Sequence, residues 1–321
     1  MVRAHIALVT PAMASSNSGN WHTASRWAKF LAPDYPVSVL PQWNGEGADL
    51  LIALHARRSA PSIAAWAAAT PRQPLIVVMT GTDLYRDIDV DGDAQASLQH
   101  ADTLVVLNEL GARRLPEAMR AKVRVCLQSA ATRRPMRKST RRLRVLMVGH
   151  LRSEKDPATF MAAAEALAAR DDIVFDHVGG ALDDALGDRA RRLGERLPGY
   201  RWLGPLPHAE ARARIQRAHV LVQASRMEGG AHTVIEAVTS GTPVLASRID
   251  GNLGLLGADY AGCFDPGDAA GLAALIARCR DDPAMLAHLR RQCDARAPLF
   301  DPQRERATLL GIVRELLETR S

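Results

Sequence analysis

The sequence predicts an α/β protein of two Rossmann-like domains, each with a parallel sheet, facing a central cleft. Three observations predict it. Short apolar runs alternate with amphipathic helical stretches through both halves, the pattern of strand-helix-strand units. A length of 321 residues, 47% of them hydrophobic, suits two domains better than one. A Pro- and Arg-rich stretch without apolar periodicity, 131–142, separates the two series.

In chain order, the first series of strand candidates is HIALVT (5–10), VSVL (37–40), LLIAL (50–54), LIVVMT (75–80), TLVVL (103–107) and VRVCL (123–127). The second is LRVLMVG (143–149), IVFDHVG (173–179), YRWLG (200–204), HVLVQAS (219–225) and TPVLAS (242–247). The boundaries that follow are a first domain over 1–130, a linker over 131–142 and a second domain over 143–300. Residues 301–321 place Leu309, Ile312, Val313 and Leu316 on one face, which predicts an amphipathic helix packed on a domain.

Composition excludes several functions. A formal charge of +6 invites a nucleic-acid partner, but aromatics are only 4% and no stacking or helix-turn-helix motif occurs. Six of the basic residues, Arg133, Arg134, Arg137, Lys138, Arg141 and Arg142, crowd into ATRRPMRKSTRR, read as a solvated linker. No apolar run approaches the roughly 18 residues that a spanning helix needs. MVRAHIALVTPAM enters a strand pattern without a cleavage signature, so a cytoplasmic protein without a membrane partner is expected. Cys126, Cys263, Cys279 and Cys293 lack a CxxC pair and a nearby ligating His, and are read as reduced thiols; no metal site is expected.

Open parallel sheets bind ligands beyond the carboxyl ends of their strands, so the loops there carry the functional reading. Residues 224–247, ASRMEGGAHTVIEAVTSGTPVLAS, read as strand end, glycine loop, helix, glycine stop and next strand. Gly229 and Gly230 let the backbone approach a ligand, and the amides from Ala231 onward favour a diphosphate. His232, Thr233 and Glu236 share one helix face. Glu228 and Glu236 each offer two strong acceptor oxygens to paired sugar hydroxyls.

Two further regions carry polar loops. VGHLRSEKDPATF (148–160) supplies His150, Arg152 and Lys155 after a strand, and two cations there can neutralise a departing diphosphate without a metal. SNSGNWHTASRWAKFL (16–31) predicts a helix capped by Ser18 or Asn20, with Trp21, Ala24, Ala28 and Leu31 on its apolar face and Gly19 open to a ligand. Trp21 and Trp27 are read as packing. LHARRSAP (54–61) offers His55, Arg57, Arg58 and Ser59, and MTGTDLYRD (79–87) offers Thr82, Asp83, Tyr85 and Arg86.

EGGAHTVIEAVTSGTPVLAS resembles the EGFG…EAMASGTPVVAS segment of retaining GT-B glycosyltransferases of the GT4 family, with Glu228 and Glu236 matching its E-x7-E motif. The resemblance implies that Glu236 binds the ribose, Glu228 the transferred sugar, and the amides after Gly230 the diphosphate. VGHLRSEKDP is similar to the family's GRL…KG loop, with Lys155 at the lysine position, Arg152 displaced from the usual arginine position and His150 standing there instead. MTGTDLYRD aligns loosely with an HGTD-like element in which Thr80 replaces the histidine.

NxGNxxTAxRW in 17–27, with the 54–61 and 79–87 loops, resembles the selenosugar synthases of selenoneine biosynthesis, a small group of GT4-like enzymes. That resemblance implies transfer from a UDP-sugar, typically UDP-N-acetylglucosamine, to selenophosphate, giving a 1-selenosugar with release of UDP and phosphate. It implies no cofactor beyond the donor substrate. Acceptor-side candidates are then Gly19, Asn20, Thr23, Arg26, His55, Arg57, Arg58, Thr82, Asp83 and Arg86, with the four arginines suited to a small anionic acceptor. A selenium nucleophile that is already anionic needs little general-base help. Another small or sugar acceptor, and a UDP-sugar epimerase of the same architecture, are the competing readings, and no residue pattern fixes the oligomeric state.

Overall fold

The structure, a computed structural model, describes residues 3–13 and 19–319. The chain forms two compact units. The first holds the chain up to Ser129, together with Glu228–Gly230 and the segment from Pro302 on. The second holds Ala130–Met227 and Ala231–Asp301.

In the first unit, β1 (Ile6–Val9), β2 (Val37–Leu40), β3 (Leu50–Leu54), β4 (Leu75–Met79), β5 (Thr103–Val106) and β6 (Val123–Val125) form a parallel sheet in the order β2-β1-β3-β4-β5-β6. Its helices are α1 (Gly19–Leu31), α2 (Ala60–Ala69), α3 (Ile88–Val90) and α4 (Gly92–His100). Both faces are covered, which is why the strands read as continuous apolar runs. Ile6, Leu8, Leu50, Ile52, Ile76 and Val78 pack with Trp27 of α1 on one face; the alternate residues Ala7, Val9, Leu51, Ala53, Val77 and Met79 pack with Ile63 and Trp66 of α2 on the other.

In the second unit, β7 (Leu143–Val148), β8 (Ile173–Val178), β9 (Tyr200–Trp202), β10 (Val220–Gln223), β11 (Val244–Ser247) and β12 (Cys263–Phe264) are ordered β12-β11-β10-β7-β8-β9, all parallel. Its helices are α5 (Pro157–Ala166), α6 (Asp184–Arg196), α7 (His208–Arg217), α8 (His232–Val238), α9 (Asp250–Leu256), α10 (Ala269–Asp281) and α11 (Pro283–Arg296). Asp183, Asp268 and Asp282 accept backbone N–H bonds at the starts of α6, α10 and α11. The last helix, α12 (Pro302–Thr319), belongs to the first unit, where Leu309, Leu310, Ile312 and Val313 are buried beside α1.

All eleven strand candidates form strands, so the expected α/β architecture of two parallel sheets stands. β12 escaped the sequence reading because two residues carry no period. The stripe on α1 is shifted from expectation: Ala24, Trp27 and Leu31 are buried with Thr23, whereas Trp21 and Ala28 are only half-buried. Asn20 lies inside α1 and so is no cap, and the alternative cap Ser18, with Asn17, lies outside the described residues. The 131–142 stretch has no helix or strand. No helix among the described residues is long and apolar enough to cross a membrane.

Candidate functional site

In the second sheet the chain order reverses between β7 and β10, and the loops leaving these two neighbouring strands flank the switch point where doubly wound sheets hold ligands. The loop after β7 is pinned to the loop after β8. Leu151 N donates to Gly180 O at 2.9 Å, and Gly180 N donates to His150 Nδ1 at 3.1 Å. A side chain on Gly179, at φ 152°, would collide with the Gly149 carbonyl, so only glycine allows this approach. Burial and the nearby Arg152 charge lower the His150 pKa, consistent with a neutral ring that accepts the Gly180 bond.

The two switch-point loops are tied to each other. Arg226 N donates to Glu154 O at 2.9 Å, and its guanidinium meets Asp156 at 3.1 Å. Asp156, left-handed at φ 46°, also accepts from Thr159 Oγ1 at 2.9 Å. Lys155 lies against Gly149, whose added Cβ would stand 3.7 Å from the lysine side chain. Arg152 Nε is buried without a hydrogen-bond partner among the described residues, with Glu154 3.9 Å away. A desolvated guanidinium donor left unmade is costly, and an anionic ligand is the natural group to satisfy it.

Glu236 is the centre of the second cluster. On α8, only 3% exposed, its Oε1 receives His208 Nε2 at 2.6 Å and Arg212 Nη1 at 3.4 Å, both from α7, with His232 Nδ1 at 3.5 Å from its own helix. Burial works against its ionisation, but the bonds from His208 and His232 and the Arg212 charge outweigh that, so its carboxyl lies well below the usual carboxylate range. Thr233 Oγ1 donates to Gln223 Oε1 at 3.2 Å, fixing the start of α8 to the end of β10. Ala231, just before α8, is buried.

Glu228, Gly229 and Gly230 group with the first unit. There Asn108 Nδ2 donates to Gly229 O at 2.7 Å, and a side chain on Gly229 would collide with the Thr80 carbonyl. A Cβ on Gly230 would stand 2.8 Å from Leu107 Cβ. Gly229 is therefore required by close backbone approach, and Gly230 by the Leu107 side chain packed against it. Glu228 is 9% exposed.

In the first unit the order reverses between β1 and β3. His55 leaves β3 with φ 74°, a conformation costing a non-glycine residue on the order of 1 kcal/mol. Its Nε2 lies 3.0 Å from Thr82 Oγ1, and its Nδ1 accepts from Arg58 N at 3.3 Å. Burial lowers its pKa, with the Asp83 charge opposing. Asp83 is fully buried and accepts the backbone N–H groups of Ala56, Thr80 and Gly81, which makes it the organiser of this loop pair.

Three of the four expected acceptor-side arginines are held by carboxylates of this same unit. Arg26 pairs with Glu305 at 2.9 Å, Arg57 with Asp91 at 2.6 Å, and Arg86 with Asp87 at 2.9 Å. Arg58 is exposed and has no carboxylate partner among the described residues. On α1, Thr23 Oγ1 donates to Gly19 O at 2.9 Å and accepts from Gln128 Nε2 at 2.5 Å, so it too is engaged internally. Gly19 and Asn20 open the helix, and a Cβ on Gly19 would meet nothing within 4 Å among the described residues.

Sequence reasoning missed His208, Arg212 and Asp156. Only the four-residue spacing of His208 and Arg212, which puts them on one face of α7, hinted at a pair acting together.

The glycosyl transferases group 1 family matches residues 128–299. Glycogen synthase of Mycobacterium tuberculosis is 34% identical over 165 residues, which is 48% of this chain and 37% of that protein, so the match spans little more than a third of the relative's length. Among solved structures, sucrose-phosphate synthase from Thermosynechococcus elongatus superposes with a TM-score of 0.78 at 18% identity, covering 99% of this chain and all of that one. Anabaena Alr3699/HepE in complex with UDP and glucose gives 0.74 at 16% identity, covering 98% and 100%. The two six-stranded parallel sheets and these neighbours give the GT-B, two-Rossmann-domain architecture. With the family pattern matched over more than half its length, this chain belongs to the group 1 glycosyl transferases.

Proposed function

We propose that the protein transfers a sugar from a UDP-sugar, and that its acceptor is selenophosphate. The observation that carries the donor half is that the elements leaving β7 and β10 carry a buried carboxylate held below its ordinary pKa, Glu236, and a guanidinium nitrogen of Arg152 that is buried without a hydrogen-bond partner among the described residues. The first suits the paired hydroxyls of a ribose, the second the diphosphate beside it. Lys155 adds a cation on the same loop, and Glu228 takes the hydroxyls of the transferred sugar. The Anabaena neighbour's complex with UDP and glucose supports a UDP-sugar donor.

In this mechanism selenium bonds to the anomeric carbon as the bond to UDP breaks. Arg152 and Lys155 hold the charge that develops on the leaving diphosphate, which is where preorganised cations lower a barrier most. Water then takes the phosphoryl group, leaving a 1-selenosugar and phosphate. N-acetylglucosamine as the sugar, and selenium as the nucleophile, rest on the motifs at 17–27, 54–61 and 79–87. A second reading, transfer to a different small acceptor, is favoured by one finding: Arg26, Arg57 and Arg86 are held by carboxylates, leaving Arg58 as the acceptor-side arginine without one among the described residues.

The test is UDP release from UDP-N-acetylglucosamine with selenophosphate, phosphate or no acceptor, with mass spectrometry of the sugar product. Selenophosphate-dependent release with a selenium-bearing sugar is the expected result. UDP binding without such release would move the acceptor to the second reading, and epimerised UDP-sugar without any acceptor would replace transfer altogether.

A further inference from the structure

His208 opens α7 and aims Nε2 at Glu236 Oε1, 2.6 Å away. His232, one turn before Glu236 on α8, brings Nδ1 to 3.5 Å from the same oxygen. The three ligand-type atoms all lie within 4.8 Å of one another. We propose that His208, His232 and Glu236 bind a divalent transition-metal ion of the zinc class.

The donor set is right for such an ion: two imidazoles and a carboxylate leave a fourth position for water in a tetrahedral shell. The spacing is close to right. Bonds of about 2.0–2.1 Å in a tetrahedral shell hold ligand atoms roughly 3.3 Å apart. The His232 pair already stands at 3.5 Å. The His208 pair has to open by about 0.7 Å to reach that tetrahedral spacing. His208 has 57% of its side chain exposed, so a small rotation supplies the movement without disturbing the core.

The surrounding charge sets the chemistry. Arg212 Nη1 stands 3.4 Å from the same oxygen and opposes a cation. Its Nη2 is anchored by Ala131 O at 2.6 Å and Thr239 Oγ1 at 3.1 Å, so it remains at the side of the carboxylate rather than in the ion's position. Nitrogen-seeking ions that gain most from imidazole are therefore favoured over magnesium or calcium, which depend on several carboxylates. Given the ribose role proposed above for Glu236, metal and UDP exclude each other there, and the ion acts as an inhibitor of donor binding.

The experiment titrates the full chain, first stripped with chelator, with Co²⁺, reading the visible bands of tetrahedral cobalt, and then displaces cobalt with Zn²⁺. One equivalent is expected, with affinity falling more than tenfold in His208→Ala and in His232→Ala and unchanged in His100→Ala. Melting curves in chelator establish that each variant is folded. Absence of a stoichiometric band, or a band that survives both substitutions, overturns the site. UDP affinity of the metal-free protein is measured by calorimetry and then repeated with one equivalent of zinc. Unchanged affinity overturns the exclusion, whereas no UDP binding even without metal overturns the proposed function and leaves the cobalt titration to decide the site.

Discussion

His208 Nε2 stands 2.6 Å from Glu236 Oε1, joining the first residue of α7 to the buried face of α8. This bond explains how a carboxyl only 3% exposed remains charged. Burial alone would favour the protonated acid; two imidazoles and a guanidinium around one oxygen reverse the balance. An ionised acceptor is thereby held ready beside the switch-point loops before any ligand arrives.

Glu236→Gln keeps the shape and removes the charge. A hydrogen bond to an ionised group is worth about 1.5–3 kcal/mol, so UDP affinity should fall roughly 10- to 100-fold. Calorimetric titration with UDP checks this, and an unchanged affinity would remove Glu236 from the nucleotide site.

Arg152→Ala should weaken UDP binding by a similar factor, because the charge-assisted bond to the diphosphate is lost. The same substitution should not lower thermal stability, since it removes a buried Nε donor that lacks a partner among the described residues. A loss of melting temperature with UDP affinity intact would make the residue structural.

The His208–Glu236 pair predicts a defined pH window. The hydrogen bond to Glu236 raises the His208 pKa above 6.5, so its contribution to stability is full below that value and fades as pH rises through the higher folded value. The Glu236 contribution is full above its ordinary 4.5 and fades only as pH falls through the depressed folded value. The difference in melting temperature between the wild type and His208→Ala should therefore be largest between these limits and shrink toward about pH 9. A difference that grows with alkalinity would contradict the pairing.

His177, fully buried beneath Phe160 and Tyr200, gives the opposite sign. Burial lowers its pKa from 6.5 to about 4. The unfolded chain binds the proton first, so stability declines as pH falls from 6.5 to about 4, by about 3 kcal/mol in all. His177→Phe should flatten that decline in urea midpoints measured across the range.

Glu305 anchors α12 by accepting from Arg26, from Trp27 Nε1 at 2.7 Å and from Ser129 N at 2.7 Å while only 1% exposed. Glu305→Ala removes the buried carboxylate that Arg26, Trp27 and Ser129 share and should destabilise the first unit by about 3–5 kcal/mol. Urea denaturation reads it directly.

Sequence by itself determined eleven of the twelve described strands, because runs such as LLIAL and LIVVM have one meaning when both sheet faces are covered. It also located the two switch-point loops, since glycine loops after strands are local signals. Partnerships between distant residues were settled only by tertiary structure. Arg26, Arg57 and Arg86 look alike as free cations in sequence, yet each is held by a carboxylate that folding brings near: Glu305 lies 279 residues from Arg26. His208, 28 residues from Glu236, gives no motif, and becomes its partner because α7 packs on α8. Local periodicity records which surface a residue buries; the charge state and the ligand set of a site depend on neighbours that only the packed chain assembles.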